Sequence, residues 1–65
     1  MSNMNNEFQI LVYGVDGDIL SSQHYDYEPT ENEVVKLISE DNGVSAEVYE
    51  VNGDDYSKHL VTYEL

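Results

Sequence analysis

The sequence predicts a small α+β domain of β-β-α-β-β order, an antiparallel sheet with one helix packed on one face. Three observations predict it. One segment carries helical periodicity with a signal at each end; apolar residues alternate in a pair of segments on either side of it; and each pair is joined by an Asx-Gly turn, Asp16-Gly17 and Asn52-Gly53. A chain of 65 residues makes one domain, here taken as 7–65, and buries only about 60% of its unfolded surface.

The helix is read from Pro29 to Gly43. Thr30 followed three residues later by Glu33 is a capping box: the Thr hydroxyl accepts from the Glu33 amide while the Glu33 carboxylate accepts from the Thr30 amide. Pro29, just outside, is placed to staple onto Val34. At the far end Asn42-Gly43 supplies a residue that tolerates a left-handed C′ conformation, which stops the helix within a residue or two of Asp41. Val34, Leu37, Ile38 and, at the edge, Val35 form one stripe, with Glu31, Glu33, Lys36, Glu40 and Asp41 around the rest.

Met1 to Asn6 is polar and without periodicity, and is expected to fray. From Glu7 to Val15, Phe8, Ile10 and Val12 alternate onto one face with Gln9, Leu11 and Tyr13 on the other. Asp16-Gly17 suits a type I′ turn, which returns the chain as a second strand from Asp18 to Tyr27. A two-residue loop sets Phe8 opposite Tyr25 and Tyr13 opposite Leu20. After the helix, Val44, Ala46 and Val48 alternate with Glu47 and Tyr49, and Tyr56 to Leu65 forms the last strand, with Val61 and Tyr63 toward the helix. The loop between these two strands decides the face that Leu60 takes, and Asn52-Gly53-Asp54-Asp55 is read as a four-residue loop.

Composition narrows the function. There is no cysteine, hence no disulfide framework and no thiolate metal site. No apolar run approaches the roughly 18 residues of a membrane span, and Met1 to Gln9 has neither the basic start nor the apolar middle of a signal peptide, so a cytoplasmic protein without membrane contact is expected. The acidic turns lack the oxygen-ligand spacing of a calcium loop, and turn chemistry accounts for their Asp, Asn and Gly. His24 and His59 have no second ligand at metal spacing. Ser21, Ser22, Ser39, Ser45 and Ser57 sit in no nucleophile motif, no Gly-rich phosphate loop is present, and carboxylates are too many to single out an acid and a base. The sequence therefore predicts no enzyme, no cofactor and no metal.

Charge is the feature that asks for a function. Fourteen acids stand against two lysines, for a formal net charge of -12, beyond the magnitude of about 2 to 8 that solubility asks of a small domain. Self-repulsion of that size costs stability in the free protein. A basic partner would offset it. Strand residues two apart project about 6.5 to 7 Å apart on one face, as Asp26 and Glu28 do if the second strand runs that far. That is close to the spacing of phosphates along a nucleic-acid strand, whose axial rise is about 3.4 Å per step and whose path is longer.

In size, acidity, absence of Arg and Cys, and layout of two hairpins with a helix, the chain resembles the small acidic DNA-mimic proteins by which bacteriophages disable host DNA-binding proteins, most of all inhibitors of the nucleoid protein HU. It resembles next the uracil-DNA glycosylase inhibitors, although no aromatic stands in or just after the helix, and then anti-CRISPR and anti-restriction proteins. The resemblance lies in no residue motif, so no functional residue is carried over from it. It implies an inhibitor in the bacterial host cell that occupies a basic DNA-binding surface and does not bind nucleic acid itself. The residues expected to make the contact are Asp16, Asp18, Asp26, Glu28, Glu31, Glu33, Glu40, Asp41, Glu47, Glu50, Asp54 and Asp55, with Tyr25, Tyr27, Tyr49 and Tyr56 as anchors among them. The rival readings are an assembly module that dimerises through a sheet edge and, more remotely, a cation-responsive domain. Monomer and homodimer both stay open.

Overall fold

The computed structural model describes residues 7–52 and 56–65, apart from the side chains of Asn52 and Tyr56. The element order is β1 (Glu7–Tyr13), β2 (Ile19–Tyr25), α1 (Glu31–Glu40), β3 (Ser45–Asn52) and β4 (Tyr56–Glu64). The expected β-β-α-β-β order is the one found. All pairings are antiparallel, in the strand order β2-β1-β3-β4. The first strand of each hairpin thus lies at the centre, and β2 runs in the same direction as β3 with β1 between them. Strands so related need a crossover that carries the chain back along the sheet, and α1 is that crossover.

The helix begins as its residues predict. The Thr30 hydroxyl accepts from the Glu33 amide at 3.2 Å, and Glu33 Oε1 accepts from the Thr30 amide at 2.9 Å. It ends in a Schellman motif: Gly43 N donates to the Ile38 carbonyl at 2.8 Å and Asn42 N to the Ser39 carbonyl at 3.2 Å. Asn42, at φ 57°, is the left-handed residue. Gly43 serves close approach instead, since a Cβ there would stand 2.7 Å from Val12 Cγ1 and 2.9 Å from the Tyr13 carbonyl.

The core lies between α1 and one face of the two central strands. Ile10 and Val12 of β1, Ala46 and Val48 of β3, and Val34 and Ile38 of α1 are buried, with Tyr25, Leu37, Leu60, Val61 and Tyr63 packed around them. Among the described residues, the opposite face of the sheet, with Gln9, Leu11, Tyr13, Glu47 and Tyr49, carries no element.

The first hairpin departs from expectation in its turn. Gly17 N donates to the Gly14 carbonyl at 2.9 Å and Gly14 N to the Asp18 carbonyl at 2.8 Å, with Gly17 at φ 85° and Asp16 on the negative side. This is a three-residue loop ending in a left-handed glycine, not a type I′ turn. It places Tyr13 opposite Ile19, not Leu20. A bulge at Leu20 then takes up the extra residue, because Val12 pairs with Ser21, and restores Phe8 opposite Tyr25 as expected. β1 ends at Tyr13 and β2 spans only Ile19–Tyr25. Both strands are shorter than the sequence suggested, since the loop takes residues at each end.

In the second hairpin Val48 pairs with Val61 and Tyr49 with His59, so Leu60 is the extra residue of another bulge. It joins Val61 against the core. A bulge, not the loop length, therefore decides the face of Leu60. The loop expected from Asn52 to Asp55 falls largely outside the described residues, as does the expectation for Met1 to Asn6.

Candidate acidic interface

The expected contact residues fall in separate regions. Between α1 and β2 runs a groove of about 330 Å³ lined by Tyr25, Tyr27, Glu33, Lys36, Leu37 and Glu40. Helical periodicity brings Glu33, Leu37 and Glu40 to that side, and the end of edge strand β2 sets Tyr25, with Tyr27 just beyond it, across from them. The Tyr25 and Tyr27 rings meet edge to face with centroids 5.4 Å apart. The Tyr27 hydroxyl donates to Glu33 Oε2 at 2.8 Å, while the other oxygen of Glu33 closes the capping box. The Thr30 amide first, then the Tyr27 hydroxyl, hold the Glu33 carboxyl below its ordinary range. Partial burial, then the charges of Glu33 and Glu40, push the Tyr25 phenol up.

A second depression, of about 230 Å³, lies where the first hairpin meets the end of the helix, and Asp16, Asp18 and Asp41 line it with Gly14, Val15, Leu20 and Asn42. Asp41 is tied to the sheet, because the Ser21 hydroxyl on β2 donates to its Oδ2.

The open sheet face holds Glu47 and Tyr49. Glu47 Oε1 accepts from the Tyr49 hydroxyl at 2.8 Å and from the Tyr13 hydroxyl at 2.9 Å. These bonds, that of Tyr49 first, hold the Glu47 carboxyl below its ordinary range, and the Glu47 bond pushes the Tyr13 phenol up to about 12. The His59 ring meets Tyr49 edge to face at 5.4 Å, and its Nε2 lies 2.8 Å from the Thr62 hydroxyl.

Asp26, Glu28 and Glu31 are exposed at the other end of the sheet. Since β2 stops at Tyr25, Asp26 and Glu28 are not a strand pair, and the strand spacing expected of them does not apply. Glu50 is on the helix side of β3, opposite Lys58. Asp54 and Asp55, with the side chain of Tyr56, lie outside the described residues. The structure thus brings Glu33 and Glu40 together with Tyr25 and Tyr27, and Asp16 and Asp18 together with Asp41, while Glu47 and Tyr49 face away from both groups.

Sequence reasoning passed over Tyr13, Ser21 and the apolar residues around the first turn. Tyr13 and Ser21 carried no signal, because their partners are 34 and 20 positions away. Val15 carried none either, because the sequence reads it as the end of the first strand and only the three-residue loop puts it in the turn. Among the described residues no group of three or more His, Cys, Asp or Glu is placed to hold a metal ion, and no helix is long and apolar enough to cross a membrane. Compared with protein-family models, curated proteins and solved structures, the chain matches none.

Proposed function

We propose that this protein is a non-enzymatic inhibitor that sets carboxylates against the basic DNA-binding surface of another protein, with the bacterial nucleoid protein HU as the leading candidate. The observation that carries the reading is how the carboxylates are held. Glu33, Glu47 and Asp41 are oriented by the hydroxyls of Tyr27, of Tyr13 and Tyr49, and of Ser21. A lysine or arginine would fix a carboxylate by cancelling its charge. A neutral hydroxyl fixes its position and leaves the charge whole; at Glu47 the tyrosine hydroxyls favour the ionised form, and at Glu33 the Thr30 amide does so first and the Tyr27 hydroxyl second. Solubility needs no such orientation, since a solvated acid serves as well when mobile. A surface meant to meet cations gains from it, because the side chains are ordered before binding.

Displacement of labelled DNA from purified HU tests the reading. The protein should displace DNA at low salt and less well as salt rises, while binding no DNA itself. Glu31→Lys with Glu40→Lys, both exposed and outside the capping box, should weaken displacement with the fold unchanged by circular dichroism. No displacement at any salt removes HU as the target, and undiminished potency of the double variant removes charge complementarity from this helix.

A further inference from the structure

Among the described residues, the large hydrophobic side chains that stand exposed are not scattered. Apart from Tyr27, they are Val15, Ile19, Leu20, Val44 and Leu65, at 84, 57, 45, 42 and 65% exposure. Topology brings these to one end of the sheet, where Val15 and Leu20 line a single depression, while Ile19, opposite Tyr13, belongs to the open face. Ile19 pairs with Tyr13 at the end of β1, Val44 N donates to the Tyr13 carbonyl at 2.9 Å, and Leu65 N donates to the Val44 carbonyl at 3.1 Å. Single exposed hydrophobics are ordinary on any protein, whereas a group of them rimmed by polar residues marks a contact surface.

The fold does not ask for an apolar side chain at Val15. Val15 occupies the second position of the first hairpin turn, where most residues serve and proline is favoured. At its exposure it adds no packing.

The rim is acidic. Asp16 follows Val15, Asp18 stands two residues on, and both line, with Asp41, the depression that Val15 and Leu20 share. Neither lysine belongs to this end: Lys36 lines the groove between α1 and β2, and Lys58 stands opposite Glu50 toward the far end of β3.

Charge decides the occupant. A second copy docked here would set these carboxylates against their own kind, and an anionic lipid surface would meet the same repulsion. A basic protein surface with an apolar hollow among its cations meets both the rim and the centre.

We infer that this end of the sheet, with Val15 and Leu20 as apolar anchors beside Asp16, Asp18 and Asp41, is the surface that docks onto the basic partner. This rests on the reading of the protein as an inhibitor of a basic DNA-binding protein, and it names the contact.

The test measures binding to HU, and in parallel to uracil-DNA glycosylase, by calorimetry at low and moderate salt. It uses wild type, Val15→Ser with Leu20→Thr, and Glu31→Lys with Glu40→Lys. Thermal melts show whether each variant is folded, and sedimentation gives its oligomeric state. The expected result is that Val15→Ser with Leu20→Thr weakens binding by about tenfold or more, as truncation of buried anchors does, while the salt dependence stays that of wild type. Equal affinity of wild type and the apolar variant overturns the docking surface and leaves the inhibitor reading standing. Wild type that binds neither protein at any salt overturns the inhibitor reading, and this inference with it. A wild-type dimer that the apolar variant converts to monomer assigns the patch to a second copy and also overturns the inference.

Discussion

The Tyr13 hydroxyl on β1 donates to Glu47 Oε1 on β3 over 2.9 Å, and the two residues are diagonal neighbours, since Leu11, not Tyr13, stands directly opposite Glu47. A tyrosine is long enough to reach a diagonal partner. With Tyr49 on the same oxygen, this ties the central strands together on the face that no helix covers.

The first prediction follows from that bond. Glu47 is held below its ordinary range in the folded chain, so its contribution to stability is present above the unfolded carboxylate pKa and is lost as pH falls through the folded value. Tyr13 moves the other way, from 10.0 to about 12, so its contribution is complete below the lower value and is lost as pH rises through the upper one. Tyr49→Phe should raise the Glu47 pKa most and Tyr13→Phe somewhat less. Carbon-detected NMR titration of the Glu47 carboxyl measures both, and a carboxyl that neither variant moves would show that the hydroxyls do not hold it.

At the helix C-terminus two adjacent residues should resist alanine for different reasons. Gly43→Ala forces a methyl against Val12 Cγ1 and the Tyr13 carbonyl and should cost about 1–3 kcal/mol, the usual cost of overpacking. Asn42→Ala should cost about 1–2 kcal/mol, because alanine resists the left-handed conformation, whereas Asn42→Gly should cost nothing. Urea denaturation separates the three. A Gly43→Ala variant as stable as wild type would mean that β1 and the loop separate easily.

Thr30→Ala removes the acceptor for the Glu33 amide and should cost about 0.5–2 kcal/mol. The Glu33 carboxylate keeps its bond to the Thr30 amide, which favours the lower part of that range. Tyr27→Phe should leave the cap intact and raise the Glu33 pKa. Unchanged midpoints in Thr30→Ala would place the stability of the helix in its packing alone.

Salt should raise the melting temperature. At a net charge of -12 the free chain repels itself, and screening over a Debye length of about 8 Å near physiological ionic strength relieves that repulsion. Melts in low and moderate sodium chloride check it, and a midpoint that falls with salt would show that attractive pairs outweigh the repulsion.

The sequence by itself determined the elements whose signals are local. Thr30 with Glu33 marks the start of the helix within one turn, Asn42-Gly43 marks its end, and the alternation of Phe8, Ile10 and Val12 or of Ala46 and Val48 assigns faces because side chains in a strand alternate with a period of two. The net charge was legible in the same way, since it is a sum over residues. Tertiary structure decided what depends on pairing. The bulges at Leu20 and Leu60 set which residues oppose each other, and each is a choice between nearly equivalent backbone paths that the packing of Leu60 and Val61 on the core, or the registry of Phe8 with Tyr25, resolves. The same holds for the surface. That Asp41 meets Ser21, that Glu47 collects the hydroxyls of Tyr13 and Tyr49, and that Val15, Val44 and Leu65 share one end of the sheet all follow from the strand order β2-β1-β3-β4. Local periodicity specifies a face but not a neighbour, and in a sheet the neighbour comes from chain segments far away in sequence.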